Sequence, residues 1–239
     1  MPGVSVTERD GARPLRADAR RNREHIVAAA SVLLVERGTD VPMEDIARAA
    51  GVGVGTLYRR FPNRRVLINA VAVDIFQRLG TMGRAARARE PNAGDALRRF
   101  LRDWATLRLG LLHTTLCAVL PDATASDAEL RRVRQDWLGL FDRMVRDAQE
   151  AGAVRVDVGS GDIAAFMNML IRDHNDQRDG LTARLLELVL DGLRPAVGST
   201  LPDRPATLEE LAGDHTTNHT ATVTTAEQPS QHADRVARR

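Results

Sequence analysis

Apolar side chains recur every three or four residues through most of the chain, which is the spacing of amphipathic helices. The clearest rows are Ile26, Ala30, Leu33 and Leu34, and then Leu67, Val71, Ile75 and Leu79. A strand pattern is confined to residues 153–158, which we interpret as a linker. With 43% hydrophobic residues in a length of 239, the chain can bury a core of its own. We therefore predict an all-α fold.

Glycine, proline and helix-capping residues mark where the predicted helices begin and end. In the N-terminal part we predict helices over residues 18–37, 42–51 and 54–60, followed by a long helix that Asn63 caps. Ser126 and Glu129 form a capping-box pattern that opens a later helix. The helices predicted beyond Pro91 cover residues 97–104, 109–120, 126–152, 162–171 and 181–193.

The composition divides the chain into four parts. Residues 1–16 contain Gly, Pro and charged residues without apolar periodicity, so we predict a disordered arm. The helical patterns occupy residues 17–79 and 80–199, which we predict to be two domains. Residues 200–239 turn to Thr, His, Pro and Gln with few apolar residues, and we predict a disordered tail.

Positive charge is concentrated in one segment of a nearly neutral chain. The net charge is +2, yet residues 46–73 contain five arginines and no acidic residue. Such a cluster favours a polyanionic partner at that place. A solvated basic face is the alternative, and charge alone does not separate the two.

A helix, a tight glycine-containing turn and a second short helix are predicted over residues 45–61, DIARAAGVGVGTLYRRF. This is the helix-turn-helix plan, in which the second helix lies in the DNA major groove and the first braces it. The residues placed to form a shared core are Ile46, Ala47, Ala50, Val52 and Leu57. A plain helical hairpin is the alternative, but the turn spacing, the basic cluster and the exposed position of Tyr58 count against it.

Residues 41–67 resemble the N-terminal domain of TetR/AcrR-type transcriptional regulators. The matching order is Gly-Thr-Leu-Tyr at residues 55–58, then Phe61, Pro62, Asn63 and Arg64. The resemblance covers residues 19–79, and beyond them it is one of pattern, with residues 191–194 as a familiar closing feature. It implies a three-helix helix-turn-helix DNA-binding domain, joined by a long helix to a C-terminal helical bundle for ligand binding and dimerisation. It also implies a homodimeric repressor that leaves a palindromic operator in double-stranded DNA when a small molecule binds.

The resemblance further implies which residues contact DNA. Thr56, Tyr58 and Arg64 would contact phosphates, Arg64 from the positive end of the fourth helix. Gly55 would let the backbone approach the groove closely. The full expected set is Met43, Val54, Gly55, Thr56, Tyr58, Arg59, Arg60 and Arg64.

Two positions of the second helix of this motif and its start, Arg60 and Gly53, depart from the family's pattern. Arg60 stands where His is frequent and can read guanine. Val54, another base-facing position, offers only an apolar contact, for example to a thymine methyl group. Phosphate contact is the alternative role of both Arg59 and Arg60. Gly53 stands where Ser is frequent, so the hydroxyl that would cap this helix is missing.

The second domain would sense a small, largely apolar effector and carry the dimer contact. The expected pocket lining is Trp104, Leu107, Leu111, Cys117, Trp137, Phe141, Met144 and Phe166, although ordinary core packing is the alternative for each of them. The expected dimer residues form two apolar stripes, Ala164, Met167, Leu170 and Ile171 on one helix and Leu185, Leu188 and Val189 on the next. Burial within one subunit is the alternative for these stripes.

The sequence argues against an enzyme. It contains no P-loop, dinucleotide fingerprint or nucleophile elbow, and we expect neither a cofactor nor a metal. Residues 173–176, which include His174, could ligate a metal but fit an ordinary polar connection. The single cysteine excludes an intrachain disulfide, no apolar run approaches the length of a membrane span, and we expect a cytoplasmic protein.

Two other functions stay open at this stage. One is a nonspecific or architectural DNA-binding protein without a ligand, and the other is a helical enzyme with an incidental helix-turn-helix. Activation in place of repression also stays open.

Overall fold

The computed structural model describes residues 12–106, 127–172, 179–195 and 199–213. Every regular element within these ranges is an α-helix, in agreement with the apolar spacing. The helices are α1 (Ala12–Arg37), α2 (Met43–Ala49), α3 (Val54–Arg60), α4 (Arg64–Arg89), α5 (Ala93–Thr106), α6 (Ala128–Glu150), α7 (Ser160–Arg172), α8 (Asp179–Gly192) and α9 (Leu208–Gly213). No helix in the described ranges has the length and apolar character needed to cross a membrane. The helix predicted over residues 109–120 lies outside them.

Helices α1, α2 and α3 and the first turns of α4 share a small apolar core. Its buried members are Ile26, Ala30, Leu34, Ile46, Ala47, Leu57, Phe61 and Leu67. The inward positions predicted for Ile46, Ala47 and Leu57 are thereby confirmed. Ala50 and Val52 are partly buried against the same core. This core fixes the position of α3 relative to α2.

The turn between α2 and α3 depends on a glycine. Gly51 has φ +67°, in the left-handed region that side chains rarely adopt, and the N–H of Val52 donates to the carbonyl of Ala47 at 3.0 Å. Helix α3 follows with the bounds predicted from the sequence. Asn63 then caps α4, because its Oδ1 accepts the N–H of Val66 at 3.0 Å.

Helices α4, α5 and α6 pack against one another around an aromatic cluster. Its members, which are all buried, are Phe100, Trp104, Trp137 and Phe141, with ring centroids 5.3 to 5.8 Å apart. Aromatic residues form only 3% of the chain, yet both tryptophans lie here. Aromatic pairs in this range add stability beyond their buried area, so the cluster anchors α5 on α6.

Helix α7 packs against α5, α6 and α8 and buries one face. That face consists of Ile163, Ala164, Met167 and Leu170, so the dimer stripe predicted on this helix is wrong for Ala164, Met167 and Leu170. The large apolar side chains exposed on α7 and α8 are instead Met169, Leu181, Leu185 and Leu188. Arg102 of α5 holds α8 in place through two hydrogen bonds to Glu187, at 2.6 and 2.9 Å.

Three boundaries differ from the sequence predictions. Residues 12–16 belong to α1 and not to a disordered arm. Helix α6 is capped by Asp127, whose carboxylate accepts the N–H of Leu130 at 3.0 Å, while Ser126 lies outside the described residues. Residues 200–213, predicted to be disordered, are folded and include α9. Residues 153–158 form turns, in agreement with a linker.

Candidate nucleic-acid interface

Helix α3 is held by one buried side chain and presents most of the others to solvent. Leu57 is completely buried in the core shared with α2, and Thr56 is half-buried. The exposed residues are Val54, Gly55, Tyr58, Arg59 and Arg60, all of them in the set expected to contact DNA. A single inward anchor thus leaves nearly the whole of α3 available to a partner.

Gly55 is not required by the packing of the protein itself. An ideal Cβ atom built on Gly55 would have no neighbouring heavy atom within 4 Å, and the same is true of Gly53. Glycine inside a helix costs about 0.5–1 kcal/mol relative to alanine, so its presence in α3 has no internal benefit. A glycine at this position is explained if this surface of α3 approaches the backbone of a binding partner closely.

No side chain caps the start of α3. Gly53 occupies the N-cap position in an extended conformation, and its carbonyl accepts the N–H groups of Thr56 and Leu57 at 2.8 and 3.1 Å. The hydroxyl that serine would provide there is absent, as the sequence comparison with the family's pattern implies. Helix α3 therefore starts without the stabilisation of about 0.5–2 kcal/mol that a good side-chain cap gives over alanine.

An acidic residue that the sequence analysis missed lies beside Tyr58. The Tyr58 hydroxyl donates to Oε1 of Glu44 at 3.5 Å, the long limit of a hydrogen bond. Both side chains are exposed, and Glu44 lies in the first turn of α2. The only sequence signal for Glu44 is its place at the positive end of that helix, which does not indicate a contact with α3.

The arginines of this domain differ in whether a carboxylate pairs with them. Within the described ranges no carboxylate lies within ion-pair distance of Arg59, Arg60 or Arg65, and all three are exposed. By contrast, the paired arginines elsewhere in residues 17–79 are Arg20 with Glu24, Arg21 with Asp18, Arg37 and Arg48 with Asp45, and Arg78 with Asp74. Among the described residues, Arg23 of α1 also has no carboxylate partner, and its guanidinium lies 5.7 Å from the centre of the Phe61 ring. Three of the arginines without a carboxylate partner therefore lie on α3 and the start of α4.

Two of the expected contact residues are placed differently from the prediction. Met43 begins α2 with its side chain only 5% exposed in the core, so the expected DNA contact of this side chain is wrong. Arg64 is half-buried, and its Nη1 donates to the carbonyl of Thr39. Arg64 thus ties the loop before α2 to the start of α4, although a guanidinium has further N–H groups that can reach an anion.

The residues expected to line a ligand pocket lie in several settings. Trp104, Trp137 and Phe141 are in the aromatic cluster, and Phe166 is half-buried. Met144 borders a surface cavity of about 200 Å³ at the end of α4, whose polar lining is Arg87, Glu90, Asn92 and Asp147. Leu107, Leu111 and Cys117 lie outside the described residues. The described part of the chain also contains no group of three His, Cys, Asp or Glu side chains placed to hold a metal ion.

Comparison with known families gives two matches that follow one another along the chain. Residues 26–71 match the model of bacterial regulatory proteins of the tetR family, and residues 92–195 match the SbtR-like C-terminal domain of transcriptional regulators. The first match covers α2, α3 and the turn between them. The second begins just before α5 and ends after α8.

Two similar solved structures are matched over nearly the whole length of their chains. The TetR transcription regulatory protein from Mycobacterium vanbaalenii is 34% identical, with a TM-score of 0.55, over 76% of this chain and 100% of that one. The TetR transcriptional regulator SCO0520 from Streptomyces coelicolor is 37% identical, also with a TM-score of 0.55, over 73% and 99%. The tetracycline repressor protein class D of Escherichia coli is 36% identical over 86 residues, which are 36% of this chain and 37% of that protein. The chain thus spans little more than a third of that curated relative.

The open space at Gly55 leads to a prediction for Gly55→Ala. The free protein should keep or slightly raise its stability, by up to about 1 kcal/mol, because alanine favours helix and the methyl group meets no neighbour. Affinity for duplex DNA should fall roughly ten-fold or more, which corresponds to about 1.4 kcal/mol, because the methyl group projects from the surface that the sequence analysis expects to approach the groove. Urea unfolding and fluorescence anisotropy with a labelled duplex measure the two effects.

The matched control is Gly139→Ala in α6, where a Cβ atom meets only the flexible Arg143 side chain, at 3.3 Å. This variant should gain similar helix stability and bind DNA like the unaltered chain. Equal DNA binding by both variants would show that Gly55 has no part in the contact.

The contact between Glu44 and Tyr58 leads to a prediction for Glu44→Gln. Two unit charges about 4 Å apart interact by roughly 1 kcal/mol in water, so a DNA phosphate at Tyr58 is repelled by Glu44. Removing the charge should raise the affinity for a random-sequence duplex about five-fold in low salt, and less in high salt. Glu129→Gln is the control, because Glu129 is also an exposed acid in the first turn of a helix but lies in α6. The interpretation of Glu44 fails if both variants change affinity equally.

Proposed function

Because the chain belongs to the TetR family of bacterial transcriptional regulators, we propose that it is a sequence-specific dimeric repressor that releases its operator when a small molecule binds. Family membership makes it a DNA-binding regulator of transcription and not an enzyme. Repression is supported by the similarity to a protein named as a tetracycline repressor. Its place of action would be the cytoplasm, where bacterial DNA lies.

The observation that carries the proposal is the outer surface of α3. One buried anchor, Leu57, fixes the helix, and the exposed arginines beside it have no carboxylate partner in the described ranges. In this assignment residues 17–79 form the DNA-reading domain, with α3 in the major groove. Residues 80–199 form the sensing and dimerising domain.

The residues of α3 that we expect to contact DNA divide into two roles. Thr56 and Tyr58 contact phosphates and set the position of the domain on the duplex, and Arg59 adds a further phosphate contact. Val54 and Arg60 face the bases, where an arginine can donate two hydrogen bonds to one guanine. Arg65, which the sequence analysis did not include, is exposed and unpaired in the first turn of α4 and can add a phosphate contact.

The dimer contact is assigned to the exposed apolar row of α8. Leu181, Leu185 and Leu188 repeat at helical spacing, and Leu188 is 66% exposed. Met169 of α7 adds a large exposed side chain, 70% exposed. A second copy of the chain covers this face, and the two recognition helices then reach half-sites roughly 34–36 Å apart.

The effector is assigned to the second domain, where the aromatic cluster and Met144 supply apolar surface. Leu107, Leu111, Cys117 and Phe166 remain part of this proposed lining. Helix α4 runs from the DNA-reading domain into this bundle and packs on α5 and α6. A ligand that prefers one arrangement of α4 shifts the population of the two reading helices away from the operator spacing.

Selection of DNA fragments from a genomic library by the purified protein, at near-physiological salt, tests the proposal. A recovered palindrome supports a sequence-specific dimer. Binding without preference, lost steeply as salt rises, supports the alternative of a nonspecific DNA-binding protein without a ligand. Failure to bind any DNA contradicts the proposal as a whole.

Arg60→Ala tests the assignment of base reading. The variant should lose discrimination at one base pair of each half-site, by about 1–3 kcal/mol, and keep most of its affinity for random duplex. Tyr58→Phe is the comparison, because loss of a phosphate contact weakens operator and random DNA alike. A proportional loss on both kinds of DNA by Arg60→Ala would assign Arg60 to phosphate.

Leu188→Glu tests the dimer assignment. A charge at the centre of an apolar contact should convert the dimer to a folded monomer and lower operator affinity at least roughly a hundred-fold, because one half-site alone binds weakly. Val32→Glu is the control, since Val32 is also an exposed apolar residue of a helix but lies in α1. Sedimentation equilibrium gives the mass of each variant, and a dimeric Leu188→Glu protein would move the contact elsewhere.

A further inference from the structure

A folded segment follows the last helix that the family models match. Residues 199–213, which we call the C-terminal strap, lie beyond the matched region, which ends at residue 195. The strap runs along the loop between α6 and α7 and ends in α9, which packs against α7. The strap is largely polar, so burial of a large apolar face does not explain why it packs against α7 and the preceding loop.

Two glycines allow the strap to approach the start of α7 closely. A Cβ atom on Gly159 would lie 2.0 Å from the carbonyl oxygen of Ala206, and one on Gly161 would lie 2.3 Å from that of Thr207. Both distances are impossible, and the obstructing atoms are backbone. The close approach lets the N–H of Gly161 donate to the carbonyl of Ala206 at 3.0 Å. The two glycines thus leave room at the start of α7 for the backbone of the strap.

Two carboxylates near these glycines accept hydrogen bonds from backbone N–H groups of the strap. Asp162 of α7 accepts the N–H of Gly159 at 2.8 Å and that of Ala206 at 3.1 Å on the same oxygen. Asp157 accepts the N–H of Leu201 at 2.8 Å. Strap and loop are therefore joined by hydrogen bonds to charged groups, which are stronger than neutral ones.

Arg155 completes the loop side of the contact. It makes two hydrogen bonds to Asp157 and donates a third to the carbonyl of Ser199, at 2.9 Å. The Arg155 guanidinium and the N–H of Leu201 hold the pKa of the Asp157 carboxyl well below its usual range. The carboxylate that binds the strap is therefore ionised at neutral pH.

The far end of the strap is fixed by its own cap and by apolar burial. Thr207 and Glu210 bind each other's N–H groups, at 3.2 and 2.9 Å, and form a capping box for α9. Arg204 pairs with Glu210 and helps to lower the pKa of that carboxyl to about 2. Leu208 is buried, and Leu211 packs on the core of the domain.

We propose that the C-terminal strap is a clamp that positions α7 for dimerisation, so that subunit association depends on a segment outside the family's own domain. The inference rests on the proposed dimer face, which includes Met169 of α7. The strap touches the first turn of α7 through Gly161 and Asp162, and α9 packs along the same helix. A helix clamped at its start presents Met169 in one fixed position, whereas an unclamped α7 loses part of that order before a second subunit binds.

The test compares chains that end after residue 198 with chains that end after residue 213. Sedimentation equilibrium of each purified protein gives the dimer dissociation constant, and thermal unfolding gives the stability. Loss of the strap should raise the dissociation constant at least about ten-fold, while removal of residues 214–239 alone should leave it unchanged. A dissociation constant within about two-fold of the unaltered chain after removal of the strap would overturn the proposal, even with a lower melting temperature.

Gly161→Ala tests the same inference with every other residue in place. Its methyl group must displace the backbone of Thr207, so this variant should show the same rise in dissociation constant as the shortened chain. Gly139→Ala is the control, because Gly139 is also a helical glycine of this domain but lies in α6, outside the proposed dimer face, and a Cβ atom there meets only the flexible Arg143 side chain.

The outcomes separate the strap from the dimer itself. Where the shortened chain no longer unfolds cooperatively, Gly161→Ala decides alone, and tight association of that variant overturns the proposal. An unaltered chain that stays monomeric at every concentration contradicts the proposed dimer and removes this role of the strap with it. Only that last result concerns the unaltered chain, so failure of the proposed dimer is distinguishable from failure of the strap proposal.

Discussion

The burial of α4 on more than one side is the constraint on which the rest of the structure depends. Every residue from 67 to 73 is buried, although this stretch makes about two turns of helix. A helix that is buried all round must have partners on all sides. Helix α4 finds them in α1 at its beginning and in α5 and α6 further along. The N-terminal helix-turn-helix domain and the C-terminal helical bundle therefore share one rigid element, and neither can complete its core without it.

The buried stretch of α4 includes one polar side chain, which shows how the two domains are joined. Asn69 donates to the carboxylate of Asp127, at 3.1 Å, and Asp127 is also the cap of α6. The Oδ1 atom of Asn69 has no partner among the described residues. A buried amide with only some of its hydrogen bonds is already costly. A shift of α4 along α6 that broke the bond to Asp127 would cost further free energy. One polar contact thus fixes the register between α4 and α6, which apolar packing alone leaves less defined.

The sequence predicted those features that a single residue determines locally. The bounds of α3 were predictable because Gly51 permits a left-handed turn, Pro62 ends the helix and Asn63 caps the next one. The sequence could not assign Met43, because the spacing of a short helix does not tell which way its first turn faces. It missed Glu44, since the contact with Tyr58 joins residues on two helices. The strap was missed because backbone docking on glycines leaves no apolar signature in the composition. The assignment of pocket residues could not be predicted further, since a pocket wall and a core side chain have the same helical spacing.

The contacts between helices also connect the proposed dimer face to α3 without a break. Arg102 joins α5 to α8 through Glu187, and Arg98 of the same helix donates to the carbonyl of Leu190, at 3.4 Å. Helix α5 packs on α4, and α4 follows α3 after a turn of three residues, 61–63. Contiguity of this kind is not itself proof of energetic coupling. It does mean that α3 is joined to the proposed dimer face by packed helices and a three-residue turn. The proposed response to a ligand therefore acts through the packing of α4, since among the described residues this helix contacts α1, α5 and α6 and follows α3 after a short turn.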